Sequence, residues 1–289
     1  MRRLVPWPIE TGTFFVQKIS MSAQDAAANV SAEDAASLES LPQQPTGIRY
    51  WLHHIRYLTN NLPRDESIAH EYHLYLQQRA KDHAQCQQWK HELINSSPVV
   101  SFMIQELAKL GCKMDIEKDL RCTECDERKS GGFMPPTLSP EEDMPIVHDV
   151  VSVEERKVGC VSNVHRSPGG IILCQNRLTS RLHTEDTLAH ELIHVYDYCR
   201  FKMNWLDLKH HACAEIRAAS LSGDCRYTRE FMRGFGGKFV KQHQECVRRR
   251  AVLSVSQNPN CKTKEDAERA VDEVFEACFA DTRPFDEIY

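Results

Sequence analysis

Thr184-Glu185-Asp186-Thr187-Leu188-Ala189-His190-Glu191-Leu192-Ile193-His194-Val195-Tyr196-Asp197 decides how the rest of this 289-residue chain is read. The segment holds no Gly or Pro and opens on a hydroxyl residue followed by two acids. Leu188, Leu192 and Val195 recur at helical spacing, which predicts a helix over Thr184 to Phe201 with one side turned inward. Ala189 keeps room beside His190. On such a helix His190 and His194 stand one turn apart on one face, so both imidazoles can bind a single tetrahedral Zn2+. Glu191 lies beside them without needing to touch the metal. Its chemistry is that of a general base: a carboxylate within reach of metal-activated water takes its proton as it attacks a peptide carbonyl, then returns it to the leaving amine.

A chain with 14 histidines can produce this string by chance, so a third ligand matters. One arrangement, the metzincin pattern, needs Gly at 197 and His or Asp at 200; Asp197 and Arg200 stand there instead. The alternative is a carboxylate from a following helix. Glu215 lies in His210-His211-Ala212-Cys213-Ala214-Glu215-Ile216-Arg217-Ala218-Ala219, where alanines permit close packing against the first helix, and it is the expected ligand. His211, on the same face, competes as a ligand or as a donor to a developing oxyanion. Asp197 either orients an imidazole through its second nitrogen or is an ordinary solvated acid.

Outward from this core, Asp65 to Asn95 reads as a long helix. A second helix has Ser97 as N-cap and Pro98 at its first position, and stops at Gly111. Residues 112–145 read as an irregular, cysteine-stapled loop. Ile146 to Val153 and Gly169 to Cys174 read as strands of a small sheet. The second either merely completes the sheet or, as an edge, pairs with an extended peptide. Later helices are expected over His210 to Ser222, over Thr228 to Ser254, and beyond Thr263, whose partner three residues on is Asp266 and whose helix turns Cys278 inward. Residues 1–47 read as a disordered extension, and 48–289 as one domain.

Hydrophobic content of 41% with 27% charged residues suits a globular protein. A net charge of -5 argues against direct nucleic-acid contact. No apolar run reaches eighteen residues, so no membrane crossing is expected. Twelve cysteines, only Cys122 and Cys125 at tight spacing, point to disulfides and an oxidising compartment rather than to a structural zinc shared with Cys86 and Cys112. No secretory signal accompanies them, because Arg2 and Arg3 are followed by Pro6, Pro8 and Glu10.

The His190–Asp197 and His211–Ala219 runs, Leu221-Ser222-Gly223-Asp224-Cys225, Cys246-Val247-Arg248-Arg249-Arg250-Ala251 and Asp281-Thr282-Arg283-Pro284-Phe285-Asp286 resemble the mitochondrial ATP synthase assembly metalloprotease family. Ser97-Pro98-Val99-Val100, Gly111-Cys112, Cys122, Cys125 and Gly131-Gly132-Phe133 extend the likeness over about residues 85–289, while residues 1–47 find no counterpart. The fold expected is α+β, mostly α: a zincin-like, gluzincin-type metalloprotease domain with a small sheet, an active-site helix and several disulfide-stapled helices.

The resemblance implies one Zn2+ per chain, with His190 and His194 as ligands and Glu191 as the catalytic residue. It implies an inner-membrane peptidase, peripheral on the intermembrane-space side, delivered by the oxidative import relay. It further implies removal of the N-terminal prosegment of the ATP synthase subunit 6 precursor and help to membrane-sector assembly intermediates. A non-proteolytic assembly chaperone with a structural or vestigial zinc site is the competing reading; a nuclear adaptor is a third. Eight basic residues between Arg226 and Arg250 form either a solvated face or a patch for anionic lipid headgroups.

Overall fold

The structure is a computed structural model, and it describes residues 45–126, 129–136, 169–234 and 241–286. The chain divides into two compact units, Met1–Ala80 and Lys81–Tyr289. Helix α2 (Arg64–Ser96) runs through the division. In the first unit its N-terminal half pairs with α1 (Ile48–Leu58).

The second unit holds the rest of α2, then α3 (Pro98–Lys109), the single turn α4 (Ile116–Asp119), and strands β1 (Leu120–Thr123), β2 (Gly131–Met134) and β3 (Gly170–Cys174). Helices α5 (Arg181–Arg200), α6 (Leu208–Leu221), α7 (Tyr227–Met232), α8 (Gln242–Val255) and α9 (Lys264–Ala280) follow. Local chemistry sets several of these ends as the sequence predicts. The Ser97 hydroxyl accepts from the Val100 amide beside Pro98, and Thr263 forms a reciprocal capping box with Asp266. Helix α5 begins three residues earlier than read, because Ser180 caps it by accepting from the His183 amide.

The sheet has the order β1-β3-β2, with β1 parallel and β2 antiparallel to β3. Strand β3 is therefore central among the described strands, where it completes the sheet and offers no edge. Both outer strands lie in the stretch read as irregular. They are four residues long, too short to show a period, and β2 begins on two glycines, so tertiary pairing rather than propensity defines them. The strand expected over 146–153 lies outside the described residues. The single helix expected from Thr228 to Ser254 is two, α7 ending before Gly234, which takes a φ of 84°.

Two apolar clusters build the second unit. Leu93, Met103 and Leu107 from α2 and α3 pack with Ile171 and Leu173 of β3 and Leu188, Leu192 and Ile193 of α5. The other joins Ala212, Ile216 and Ala219 of α6 to Val247 and Val255 of α8 and Val271 and Phe275 of α9. Helix α5 belongs to the first core, and α6 joins the two, with Ala218 in the first and Ala212, Ile216 and Ala219 in the second. Five disulfides fasten this frame: Cys86–Cys122, Cys112–Cys199, Cys125–Cys174, Cys213–Cys278 and Cys225–Cys246. The first three tie α2, α3, the sheet and α5, and the other two tie α6 and the turn after it to α9 and α8. In a chain-entropy picture loops of this size are worth about 3–5 kcal/mol each. Cysteines 86, 112, 122 and 125 are all consumed, which leaves no thiolate set for a structural zinc. Cys261 is free, and Cys160 lies outside the described residues.

Candidate active site

The junction of α5 and α6 brings together the three side chains singled out as ligands. His190 Nε2 lies 3.6 Å from Glu215 Oε2, and His194 Nε2 lies 3.4 Å from Glu215 Oε1. The imidazoles stand edge to face with centroids 4.8 Å apart. A tetrahedral ion with bonds of about 2.0–2.2 Å sets its ligand atoms about 3.4 Å apart, and each imidazole stands near that distance from one of the two carboxylate oxygens. Ligand atoms from His190, His194 and Glu215 all lie within 4.8 Å of one another, and no other such group occurs among the described residues. Two imidazoles and a carboxylate are a donor set suited to zinc.

Electrostatics agree with a place for a cation. Burial opposes ionisation of Glu215, yet the imidazoles of His194, His190 and His211 outweigh it and hold its carboxyl well below the usual range. Burial likewise favours neutral His194, but Glu215, Glu191 and Asp197 prevail and raise its pKa to about 9.

Glu191 is buried beside this set, and that burial pushes its carboxyl upward against the pull of His190 and His194. The Phe133 amide of β2 donates to it. Since alternate residues of a strand point their backbone groups the same way, the Phe133 amide marks the edge of β2 opposite β3 as the one facing the site. A Cβ on Gly131 would stand 2.7 Å from Thr187 Cγ2, so only glycine lets β2 approach α5 this closely.

The register of the two ligand helices is fixed from beneath. Arg217, fully buried on α6, donates from Nε to both carboxylate oxygens of Asp197 on α5 at 3.0 Å, and reaches the backbone carbonyls of Asp281 and Arg283. Asp197 therefore holds no imidazole: His194 Nδ1 has no hydrogen-bond partner. It sets the distance between the helices carrying His194 and Glu215, through an arginine two residues beyond the latter.

His211 lies one turn before Glu215, its Nε2 3.4 Å from Glu215 Oε1. Its proton is placed by Asn258, beyond the end of α8. The Asn258 Oδ1 accepts from the Asn260 amide at 2.9 Å, while Nδ2 donates to the Trp205 carbonyl at 2.7 Å and stands 2.9 Å from His211 Nδ1. The amide cannot be turned over without breaking two of these contacts, so Nδ2 donates to Nδ1 and the neutral ring carries its proton on Nε2, towards Glu215. In this form His211 is a donor to the carboxylate rather than a fourth nitrogen ligand. The Trp205 ring stands edge-on to His194 and His211, at 5.7 and 6.1 Å, and walls the site.

The peptidase M76 family model matches residues 84–286. The chain belongs to the peptidase M76 family. Its M76 relatives include the mitochondrial inner membrane protease ATP23 of Vanderwaltozyma polyspora, 43% identical over 84% of this chain and 88% of that protein. The protein of the same name from Saccharomyces cerevisiae strain Lalvin EC1118 is 42% identical over 84% and 96%. That from Yarrowia lipolytica is 37% identical over 94% and 97%. No solved structure matches. Membership in a metallopeptidase family implies a metal cofactor, and the His190, His194 and Glu215 cluster fits one.

Asn258, Trp205 and Arg217 in this M76 chain carry geometry that sequence reading did not assign. Arg217 left a signal, a cation in an otherwise small and apolar helical run; Asn258 left none. Five of the eight basic residues in the stretch ending at Arg250 form ion pairs within the chain. Arg229 pairs with Asp186, Arg233 and Arg250 with Asp224, Arg249 with Glu230, and Arg248 with Asp272.

Proposed function

We propose that this protein is a zincin-like zinc metalloendopeptidase of the mitochondrial inner membrane, peripheral on its intermembrane-space side. Its substrate is the N-terminal prosegment of ATP synthase subunit 6, and it assists assembly of the membrane sector. The convergence of His190, His194 and Glu215, with ligand atoms within 4.8 Å of one another, carries the catalytic part of this reading. The names of the relatives and the five disulfides support the compartment.

One Zn2+ held by these three residues supplies a Lewis acid that makes water nucleophilic near neutral pH. Glu191, fixed by the Phe133 amide, takes the proton from the attacking water and delivers it to the departing amine. The outer edge of β2 pairs with an extended substrate and lays its scissile carbonyl over the site. Asp197 and Arg217 hold the two ligand helices in register, and His211 orients Glu215.

Elemental analysis of the purified protein, with cleavage of a subunit 6 precursor peptide, tests the reading. One zinc is expected, lost in His190→Ala; Glu191→Gln keeps the zinc and loses cleavage. Zinc unaffected by His190→Ala defeats the site, and cleavage by Glu191→Gln defeats the role of that carboxylate. Client assembly that survives in Glu191→Gln separates the assembly role from proteolysis.

A further inference from the structure

Helix α1 is built with its polarity inverted. Ile48, Trp51, Leu52, Ile55 and Leu58 form one stripe of α1 and are 77%, 64%, 58%, 52% and 67% exposed. The groups turned towards α2 are polar. His54 Nδ1 lies 2.9 Å from His70 Nε2, His53 Nε2 lies 3.6 Å from Glu66, and the Tyr57 hydroxyl donates to Glu71 at 3.0 Å. A helix that seats imidazoles and phenols against its neighbour and leaves five large apolar side chains outside is matched to an apolar environment on that outer side.

The charges name the environment. At helical spacing Arg49 and Arg56 share one margin of the stripe, and no Asp or Glu occurs between residues 45 and 64. Long cationic side chains beside an apolar strip suit an interface whose surface is anionic, and Trp51 suits its headgroup level. A second copy of the same helix would instead bring like charges to the margin. Eleven residues extend about 16 Å, far short of a bilayer's hydrocarbon thickness, so the helix lies in the membrane plane. No helix among the described residues is long and apolar enough to cross a membrane. The basic residues of α7 and α8 are engaged in ion pairs, whereas α1 combines Arg49 and Arg56 with five of the thirteen large apolar side chains left exposed among the described residues.

We propose that α1 is the membrane-docking element of this protein, an in-plane amphipathic helix that inserts its Ile48–Leu58 stripe among anionic phospholipids. This rests on the inner-membrane reading above and adds the residues responsible. The test is co-sedimentation of the full chain with phosphatidylcholine vesicles, with and without phosphatidylglycerol. Binding is expected to mixed vesicles and to weaken with salt. Leu52→Glu with Ile55→Glu should abolish it, and Arg49→Gln with Arg56→Gln should weaken it about tenfold or more, with zinc content and circular dichroism unchanged.

Retained vesicle binding in the Leu52/Ile55 variant overturns the proposal. So does loss of fold in the milder Leu52→Gln/Ile55→Gln variant, which would make the stripe part of a core. Self-association abolished by the same changes, without vesicle binding, assigns the stripe to a second copy and also overturns it. Fractionation of mitochondria keeps the two readings apart. A Leu52/Ile55 variant still on the inner membrane defeats the helix alone, whereas wild-type protein absent from that membrane defeats the localisation.

Discussion

Changing Asn258 to Asp should disable the metal site without touching a ligand. The wild-type amide spends both kinds of polar atom, accepting from Asn260 and donating towards Trp205 and His211 Nδ1. An aspartate keeps the acceptor but turns an oxygen on the Trp205 carbonyl and on Nδ1. His211 must then move its proton to Nδ1, aiming a lone pair at Glu215 Oε1, 3.4 Å away, or take a second proton and set a positive charge beside the cation's place.

Either outcome weakens metal binding. Loss of an outer partner of this kind costs about 10–100-fold in affinity, and Asn258→Asp should reach the upper part of that range. Asn258→Ala removes the bias of a single hydrogen bond, about 1 kcal/mol, and should lose nearer tenfold. Zinc affinity measured against a chromophoric chelator reads the loss, and side-chain nitrogen resonances of His211 in metal-free protein report where the proton sits. Unchanged affinity in Asn258→Asp, or a proton on Nδ1 in the wild type, refutes the reasoning.

Three more outcomes can be measured. Gly131→Ala puts a methyl group 2.7 Å from Thr187 Cγ2, so β2 must retreat from Glu191. Peptide cleavage should fall with a stability loss of about 1–3 kcal/mol, and Thr187→Ser should restore part of both. Arg217→Met strands the Asp197 carboxylate in the core and should cost about 3–5 kcal/mol in urea unfolding, most of it recovered by adding Asp197→Leu. If Arg217→Met unfolds like the wild type, that pair does not hold the helices.

Asp281 tests the acid limb. Burial opposes its ionisation, but Arg283 and Arg217 hold its pKa at about 2, below the ordinary 3.8. The unfolded chain therefore binds this proton more readily. The stabilisation is complete above about pH 4 and disappears as pH falls through 2, a loss of roughly 2 kcal/mol. Asp281→Asn should unfold earlier than the wild type at neutral pH and match it near pH 2. A gap that persists there would show that the carboxylate's charge is not the cause.

The pairing of His190 and His194 on one helix face was legible because its information is local. A helix repeats every 3.6 residues, so His190 and His194 share a face whatever packs around them, and hydroxyl caps at Ser97 and Thr263 mark helix starts through one-turn chemistry. Glu215 was reachable by elimination once Arg200 closed the contiguous alternative. What escaped depends on contacts between residues distant in sequence. Strands β1 and β2 exist because β3 supplies their hydrogen-bond partners, and the edge facing the site is β2 because of strand order. Sequence proximity left Asp197 open between an imidazole and solvent, whereas folding brings Arg217 to its carboxylate from twenty residues away. Asn258 governs a proton on His211 across 47 residues, a relation that no periodicity encodes. Sequence alone determined which side chains a single helix presents; tertiary structure decided their partners, since those lie on elements whose spacing along the chain carries no geometric meaning.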